Sequence, residues 1–209
     1  MARASAYDRD TALQSAMALF WDKGYHATSL KDLETALAMK PGSIYAAFTS
    51  KENLYLLALE RYFNASCTRF RTQMAQAQSP LAALAEQFRA YARLAPDAMA
   101  RQACMLTKTL VDTRSTDPEI VQATRDYLSR MVAEFSAGFA RAIAAGELPA
   151  DANPDRLARR YQANLSALRL ALHQGLTPEE VNDLAEEMAR EIEQLRQKAP
   201  PPKPPKETT

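Results

Sequence analysis

The sequence predicts an all-α fold, and three observations carry that prediction. The 209-residue chain holds 40 Ala and 24 Leu against 4 Val and 4 Ile, so helix formers far outnumber the β-branched aliphatics that favour strands. Of its 12 Pro, five cluster at positions 200–205, which leaves seven Pro and 5 Gly to interrupt the first 199 residues. Between those breaks, apolar residues recur at i, i+3, i+4 and i+7, the spacing of one buried helix face. A composition of 47% hydrophobic and 24% charged residues fits a globule of one or two domains with a sizeable core.

The breaks and capping residues mark out about nine helical segments. The first runs from about Asp8 to Lys23, buries Leu13, Ala16, Met17 and Phe20, and stops at Gly24. The second starts at Ser29, where Ser29 and Asp32 fit the S-x-x-D capping pattern, and carries Leu30, Leu33 and Leu37 to about Ala38. Pro41 suits the first position of a third helix, Pro41 to Phe48, because its missing N–H has no intrahelical partner there. Ser50 caps a fourth that runs unbroken from Lys51 to about Gln78, long enough to act as a connecting rod. Later boundaries fall at Ser79 with Pro80, Pro96 with Asp97, Asp117 with Pro118, Gly146 to Pro154, and Gly175 to Pro178. Thr177, Pro178 and Glu180 combine a cap, an N1 proline and a capping-box glutamate, so the last helix begins there and reaches about Gln197. Residues 198–209 form a Pro- and Lys-rich tail with nothing to anchor it in a core, and disorder is expected.

Three short helices, the second and third joined by a tight turn and followed by one long helix, are the layout of a helix-turn-helix DNA reader. Gly42, Ser43, Tyr45, Thr49, Ser50 and Lys51 place hydroxyls, a small residue and a cation on and after the third helix, while Ile44 and Phe48 at i and i+4 anchor its other face. The run GYHATSLKDLETALAMKPGSIYAAFTSKENLYLLALERYF, residues 24–63, resembles the DNA-binding module of TetR-family transcriptional repressors. Their pattern is roughly G-[YF]-x-x-[TA]-[ST], then G-[ST]-[LI]-Y-x-x-F-x-[SN]-K-x-x-L, and every fixed position is met. With YDRDTALQSAMALFWDKGY the resemblance covers residues 7–63, and it is closest to a copper-responsive, ComR-like subgroup.

The resemblance implies three regions: a helix-turn-helix DNA-binding domain at 1–63, with its second and third helices at about 29–48, a larger helical effector-binding and dimerisation domain at 64–197, and the tail at 198–209. It also implies a double-stranded operator DNA as partner. Thr28 and Ser29 would then meet a phosphate, although a helix cap alone also explains them. Lys40, Pro41, Gly42 and Ser43 would form the first turn of the recognition helix, which enters the major groove N-terminus first. Tyr45 and Lys51 match the family's phosphate-contacting tyrosine and lysine. Ala46 and Ala47 replace the bulkier polar residues of many relatives, which leaves methyl contact to thymine in place of hydrogen-bond readout. Residues 1–63 carry seven basic and seven acidic side chains and the whole chain has a net charge of +1, so a shallow salt dependence is expected.

One module reads one half-site, so a homodimer is expected. Two stripes at helical spacing offer dimer helices: Leu157, Tyr161, Leu165, Leu168 and Leu172, then Leu184, Met188, Ile192 and Leu195. The resemblance implies that such helices pair as a four-helix bundle; an intramolecular core is the alternative. Between about residues 64 and 146 the family places an effector pocket, and aromatic and sulfur side chains concentrate there. Cys67, Phe70, Phe88, Tyr91, Cys104, Tyr127 and Met131 are the pocket or sensor candidates, with Tyr62, Met99, Met105 and Phe135 nearby; Arg69, Lys108 and Arg130 could face an anionic or polar ligand. Cys104 sits in RQACMLTKTL, similar to the family's R-G-C-[LF]-[LM] segment with Ala103 in place of Gly. Near a helix N-terminus and Arg101 it is readable as a packing thiol, a redox sensor or a copper ligand, so the effector is left open between a small molecule, an oxidant and a metal.

Catalysis is not expected. Only His26 and His173 are present, with no Gly-rich phosphate loop and no H-E-x-x-H or G-x-S-x-G motif. Two cysteines suit neither a disulfide scaffold nor a zinc site, and no cofactor or resident metal is implied. No run of 18 apolar residues could span a bilayer, so a cytoplasmic protein without a membrane partner is expected. A ligand- or stress-responsive repressor is the reading favoured by the resemblance; an activator, or a helical adaptor using the same module for protein contacts, is the alternative.

Overall fold

The structure, a computed structural model, describes residues 6–94, 103–112 and 117–196. These residues form nine helices and no strand: α1 (Ala6–Lys23), α2 (Leu30–Leu37), α3 (Pro41–Phe48), α4 (Lys51–Gln76), α5 (Pro80–Ala92), α6 (Met105–Asp112), α7 (Pro118–Ala144), α8 (Pro154–His173) and α9 (Pro178–Glu193). The helix starts follow cap chemistry: Ser29, Ser50, Ser79, Asp117, Asn153 and Thr177 each accept a hydrogen bond from a backbone N–H in the first turn. Five helices have Pro in that turn, where the lost N–H costs nothing.

Three helix ends differ from the sequence reading. α2 stops at Leu37 because Ala38 takes the left-handed conformation, φ 51°, and returns its N–H to Glu34 and Thr35 carbonyls. α4 ends at Gln76, two residues early, because Ala77 must be extended to bring Ser79 into position as the cap of α5. α9 ends at Glu193, with Gln194 as its C-cap. The Pro96–Asp97 boundary, Met99, Arg101 and the 198–209 tail lie outside the described residues.

Two apolar clusters build the interior. The first joins Phe20, Trp21, Leu33, Ile44, Phe48, Leu54 and Leu59 of the N-terminal helices, and it also takes Met105, Leu106 and Ile120 from α6 and the start of α7. The second is made by α4, α5, α7, α8 and α9. Within α4 the change is abrupt: Tyr62 belongs to the first cluster and Phe63 to the second. At the heart of the second, the Tyr161 ring meets Phe88, Phe135 and Phe139 edge-on at centroid distances of 4.9, 4.9 and 5.7 Å, and its hydroxyl proton is shared by Leu84 O and Gln87 Oε1, 2.8 and 2.7 Å away.

This placement gives the two stripes expected of dimer helices a role inside the protomer. Tyr161, Leu165, Leu168, Leu172 and Ile192 are buried in the protomer's own core, and Leu157, Leu184, Met188 and Leu195 pack against it. The buried members of the two stripes therefore hold α8 and α9 to α5 and α7. None of the described helices is long and apolar enough to cross a membrane.

Candidate nucleic-acid interface

The α2–α3 pair is set by its short-range chemistry. Asp32 completes a reciprocal capping box with Ser29 and takes a 2.7 Å ion pair from Lys23, which ties the end of α1 to the start of α2 and holds the Asp32 carboxyl well below its ordinary range. After the left-handed turn at Ala38, Lys40 is the extended N-cap of α3 and Pro41 its first residue. Ile44 and Phe48, each about 1% exposed, nail α3 to the first cluster. Lys40, Gly42, Ser43, Tyr45 and Ala46 are consequently turned outward, with Tyr45 45% exposed, while Pro41 and Ala47 are half-buried.

Two flanking residues differ in standing. Lys51, at the N-terminus of α4, places its Nζ 4.6 Å from the centroid of the Tyr25 ring, and partial burial lowers its pKa. Its ammonium is preset at the edge of the α3 surface. Thr28 is fully buried, and its hydroxyl donates to Gly24 O at 2.7 Å. That corrects the phosphate assignment for Thr28: the side chain staples the α1–α2 turn from inside, and the exposed hydroxyl there is Ser29's.

A partly open cavity of about 340 Å³ lies between α1, α4, α5, α6, α7 and α8. Of the sequence candidates, Phe70, Tyr91, Cys104 and Met131 line it. Cys67 and Phe88 are spent in the second core, and Tyr127 stacks on Phe63 at 4.9 Å, so these three leave the pocket assignment. Among the three candidate cations only Arg69 reaches the cavity wall. Lys108 donates to Trp21 O and Asp22 O at 3.1 and 2.6 Å, and Arg130 lies over the Phe63 ring at 4.4 Å.

Arg169 and Trp21, which the sequence does not place at the pocket, line the same cavity as Tyr62 and Cys104. Arg169 is 7% exposed; its Nη1 donates to Tyr62 Oη at 2.6 Å, and its guanidinium carbon lies 5.7 Å from the Trp21 ring and 5.4 Å from the Tyr91 ring. Burial works against its charge, but Tyr62, Tyr91 and Cys104 more than offset this and the pKa is raised. Tyr62 in turn donates to Cys104 Sγ at 3.4 Å. Burial opposes the Cys104 thiolate too, yet the Arg169 charge and hydrogen bonds from Tyr62 and Thr107 bring its pKa below the usual thiol value. Trp21, on α1, donates to Ala103 O at 2.8 Å and meets Tyr62 edge-on at 4.9 Å. A sequence signal for Arg169 did exist: a cation four residues after Leu165 and three before Leu172 sits inside an apolar stripe. No group of three or more His, Cys, Asp or Glu able to hold a metal occurs among the described residues.

Residues 12–58 match the family of bacterial regulatory proteins named for tetR, and residues 77–174 match a tetracyclin repressor-like C-terminal domain. The chain is 27% identical over 184 residues to the HTH-type transcriptional repressor ComR of Escherichia coli strain K12, covering 88% of each chain. Among solved structures, a cysteine mutant of the TetR-family transcriptional regulator CifR, complexed with 26-base-pair double-strand operator DNA, is 32% identical, with 90% of this chain and 98% of that one covered and a TM-score of 0.78. A transcriptional regulator from Cytophaga hutchinsonii shares the fold at a TM-score of 0.80, with 19% identity and 95% and 100% of the two chains covered.

Proposed function

The chain belongs to the TetR family of DNA-binding transcriptional regulators, which are not enzymes, and from that premise we propose that it is a cytoplasmic homodimeric repressor whose α3 reads operator DNA and whose cavity takes the inducing effector. The observation that carries this reading is the outward face of α3 together with its flanks. Ser29 and Lys51 frame a surface on which Lys40, Gly42, Ser43 and Tyr45 are exposed. A Cβ built on Gly42 would meet nothing within 4 Å, so this glycine is not required by packing inside the chain and leaves room for a close neighbour. Lys40, Pro41, Gly42 and Ser43 then approach base edges, while Ser29, Tyr45 and Lys51 contact phosphates.

Two copies would hold their recognition helices roughly 34 Å apart, one turn of DNA. The sides of α8 and α9 turned away from the core supply the seam; Leu170, 49% exposed, lies opposite Tyr161 on α8. The effector acts by biasing the separation of the two α3 helices, because Trp21 and Leu106 line the cavity and also belong to the N-terminal core. The test is a mobility shift of DNA from upstream of its own gene, with the mass of the free protein measured alongside. Retardation by the wild type that weakens on Tyr45→Ala, from a protein of dimer mass, is expected. A monomeric mass, or retardation indifferent to Tyr45, would overturn it.

A further inference from the structure

The cations of the N-terminal module differ in what they already hold. Lys23 pairs with Asp32 and Arg61 with Asp10, so each of these pairs presents little net charge to DNA. Arg9, in the first turn of α1, is exposed and pairs with no carboxylate among the described residues; its neighbour Asp10 is taken by Arg61. Its guanidinium is nevertheless held in place. Nε donates to Ala47 O, a last-turn carbonyl of α3, at 3.4 Å, and the guanidinium carbon lies 5.1 Å from the centroid of the Phe48 ring. Both Nη groups are left without a partner among the described residues.

The position matters as much as the charge. Phe48 is the last residue of α3, so Arg9 stands at the C-terminal end of the helix whose outward face carries Lys40, Ser43 and Tyr45. Lys51 stands elsewhere: its ammonium lies over the Tyr25 ring and feels Asp32, the partner of Lys23 at the far end of α1. At about 1.5 Å of rise per residue, Arg9 and Lys23 are about 21 Å apart along α1. The major groove that admits a helix is about 12 Å wide, so cations toward the two ends of α1 can reach the backbones on both sides of a groove filled by α3.

We propose that Arg9 is a further DNA-binding residue: its guanidinium, braced by Ala47 O and Phe48, holds a backbone phosphate at the C-terminal end of α3 and, with Lys51, brackets that helix between the two strands. This rests on the proposed function, in which α3 enters operator DNA, and adds a contact from α1. The two Nη groups of a planar guanidinium match two oxygens of one phosphate. Such a contact fixes affinity and register and reads no base. It also ties DNA to α1, the helix whose Trp21 lines the cavity.

The full-length protein is titrated by fluorescence anisotropy against a labelled duplex from upstream of its own gene and an unrelated duplex of equal length, from about 50 to 300 mM KCl. Arg9→Gln is expected to weaken both alike, by about tenfold at the low-salt end, and to flatten the log-log salt slope by about 1 per protomer. The urea midpoint of the free protein should not move. Arg9→Lys, which keeps the charge and loses the fork, should keep the wild-type slope. A slope unchanged by Arg9→Gln overturns the proposal, as does weakening confined to the upstream duplex. If Arg9→Gln lowers the urea midpoint, Arg9→Met, which keeps an apolar stem over Phe48, is read in its place. A lowered midpoint there too makes Arg9 a helix cap and overturns the proposal. Wild-type protein without preference for the upstream duplex, or binding indifferent to Tyr45→Ala, sinks the proposed function. Preference that responds to Tyr45→Ala while the Arg9→Gln slope stays wild type sinks only this inference.

Discussion

The hydroxyl of Tyr62 accepts a 2.6 Å hydrogen bond from Arg169 Nη1 and passes its own proton toward Cys104 Sγ, 3.4 Å away. Three residues from α4, α8 and the segment leading into α6 are thus joined by one chain of polar contacts under the Trp21 ring. Its first consequence is chemical. Cys104 has its pKa lowered while burial raises that of Cys67, so Cys104 holds the larger thiolate fraction at any pH between them. Alkylation by iodoacetamide at neutral pH, followed by mass spectrometry, should label Cys104 before Cys67. Arg169→Gln should slow the Cys104 reaction and leave Cys67 unchanged.

Adjacent turns of α3 separate stability from recognition. Phe48→Ala empties a site that is 1% exposed and should cost about 3–5 kcal/mol in thermal or urea denaturation. Tyr45→Ala touches a side chain that is 45% exposed, so it should shift stability by under about 0.5 kcal/mol while weakening operator retardation.

Equal numbers of acids and bases in residues 1–63 limit the phosphates that the module can neutralise. The log-log dependence of operator affinity on salt should be no steeper than about −8 for a dimer, and Lys51→Ala should flatten it by about 1 per protomer contact. A titration of retardation against salt measures both.

Acid stability should follow the α5–α9 clamp. Arg89 donates to both Glu186 and Glu193, and its hydrogen bonds to Glu186 bring that carboxyl from 4.5 down to about 2, with a further contribution from Arg190. A carboxyl whose folded pKa lies below its unfolded value stabilises fully above the unfolded value and loses that contribution as pH falls through the folded one. The Glu186 contribution should therefore be complete above pH 4.5 and decline toward pH 2. Because Glu186 is solvated the effect is modest, and Arg89→Met should flatten the stability curve in that window.

What was legible in the sequence was local. Ser29 with Asp32, and Thr177 with Glu180, specify helix starts within four residues, and both capping boxes form as read. Pro41 and the Ile44–Phe48 pair likewise place α3 and its buried face. What was not legible depended on distant partners. The Tyr161 stripe looks the same whether it faces α5 and α7 or a second copy, and only the packing of Phe88, Phe135 and Phe139 around it decides. Thr28 reads as a surface hydroxyl until the turn at Gly24 folds a carbonyl toward it. Arg169 is not legible because arginine is expected in water, whereas here the rings of Trp21, Tyr62 and Tyr91 surround it and the Tyr62 hydroxyl accepts its hydrogen bond.

The abutting of Tyr62 and Phe63 bears on how the molecule can be taken apart. A fragment cut after residue 63 would end at the point where α4 turns from one core to the other, yet it would lack Met105, Leu106 and Ile120, which close the first core from the far side. Such a fragment would keep every side chain proposed to face DNA and lose part of the core that holds Phe20 and Trp21. The proposed DNA reader does not close its own core, and transplanting it onto another protein would require carrying α6 and the first turn of α7 along with it.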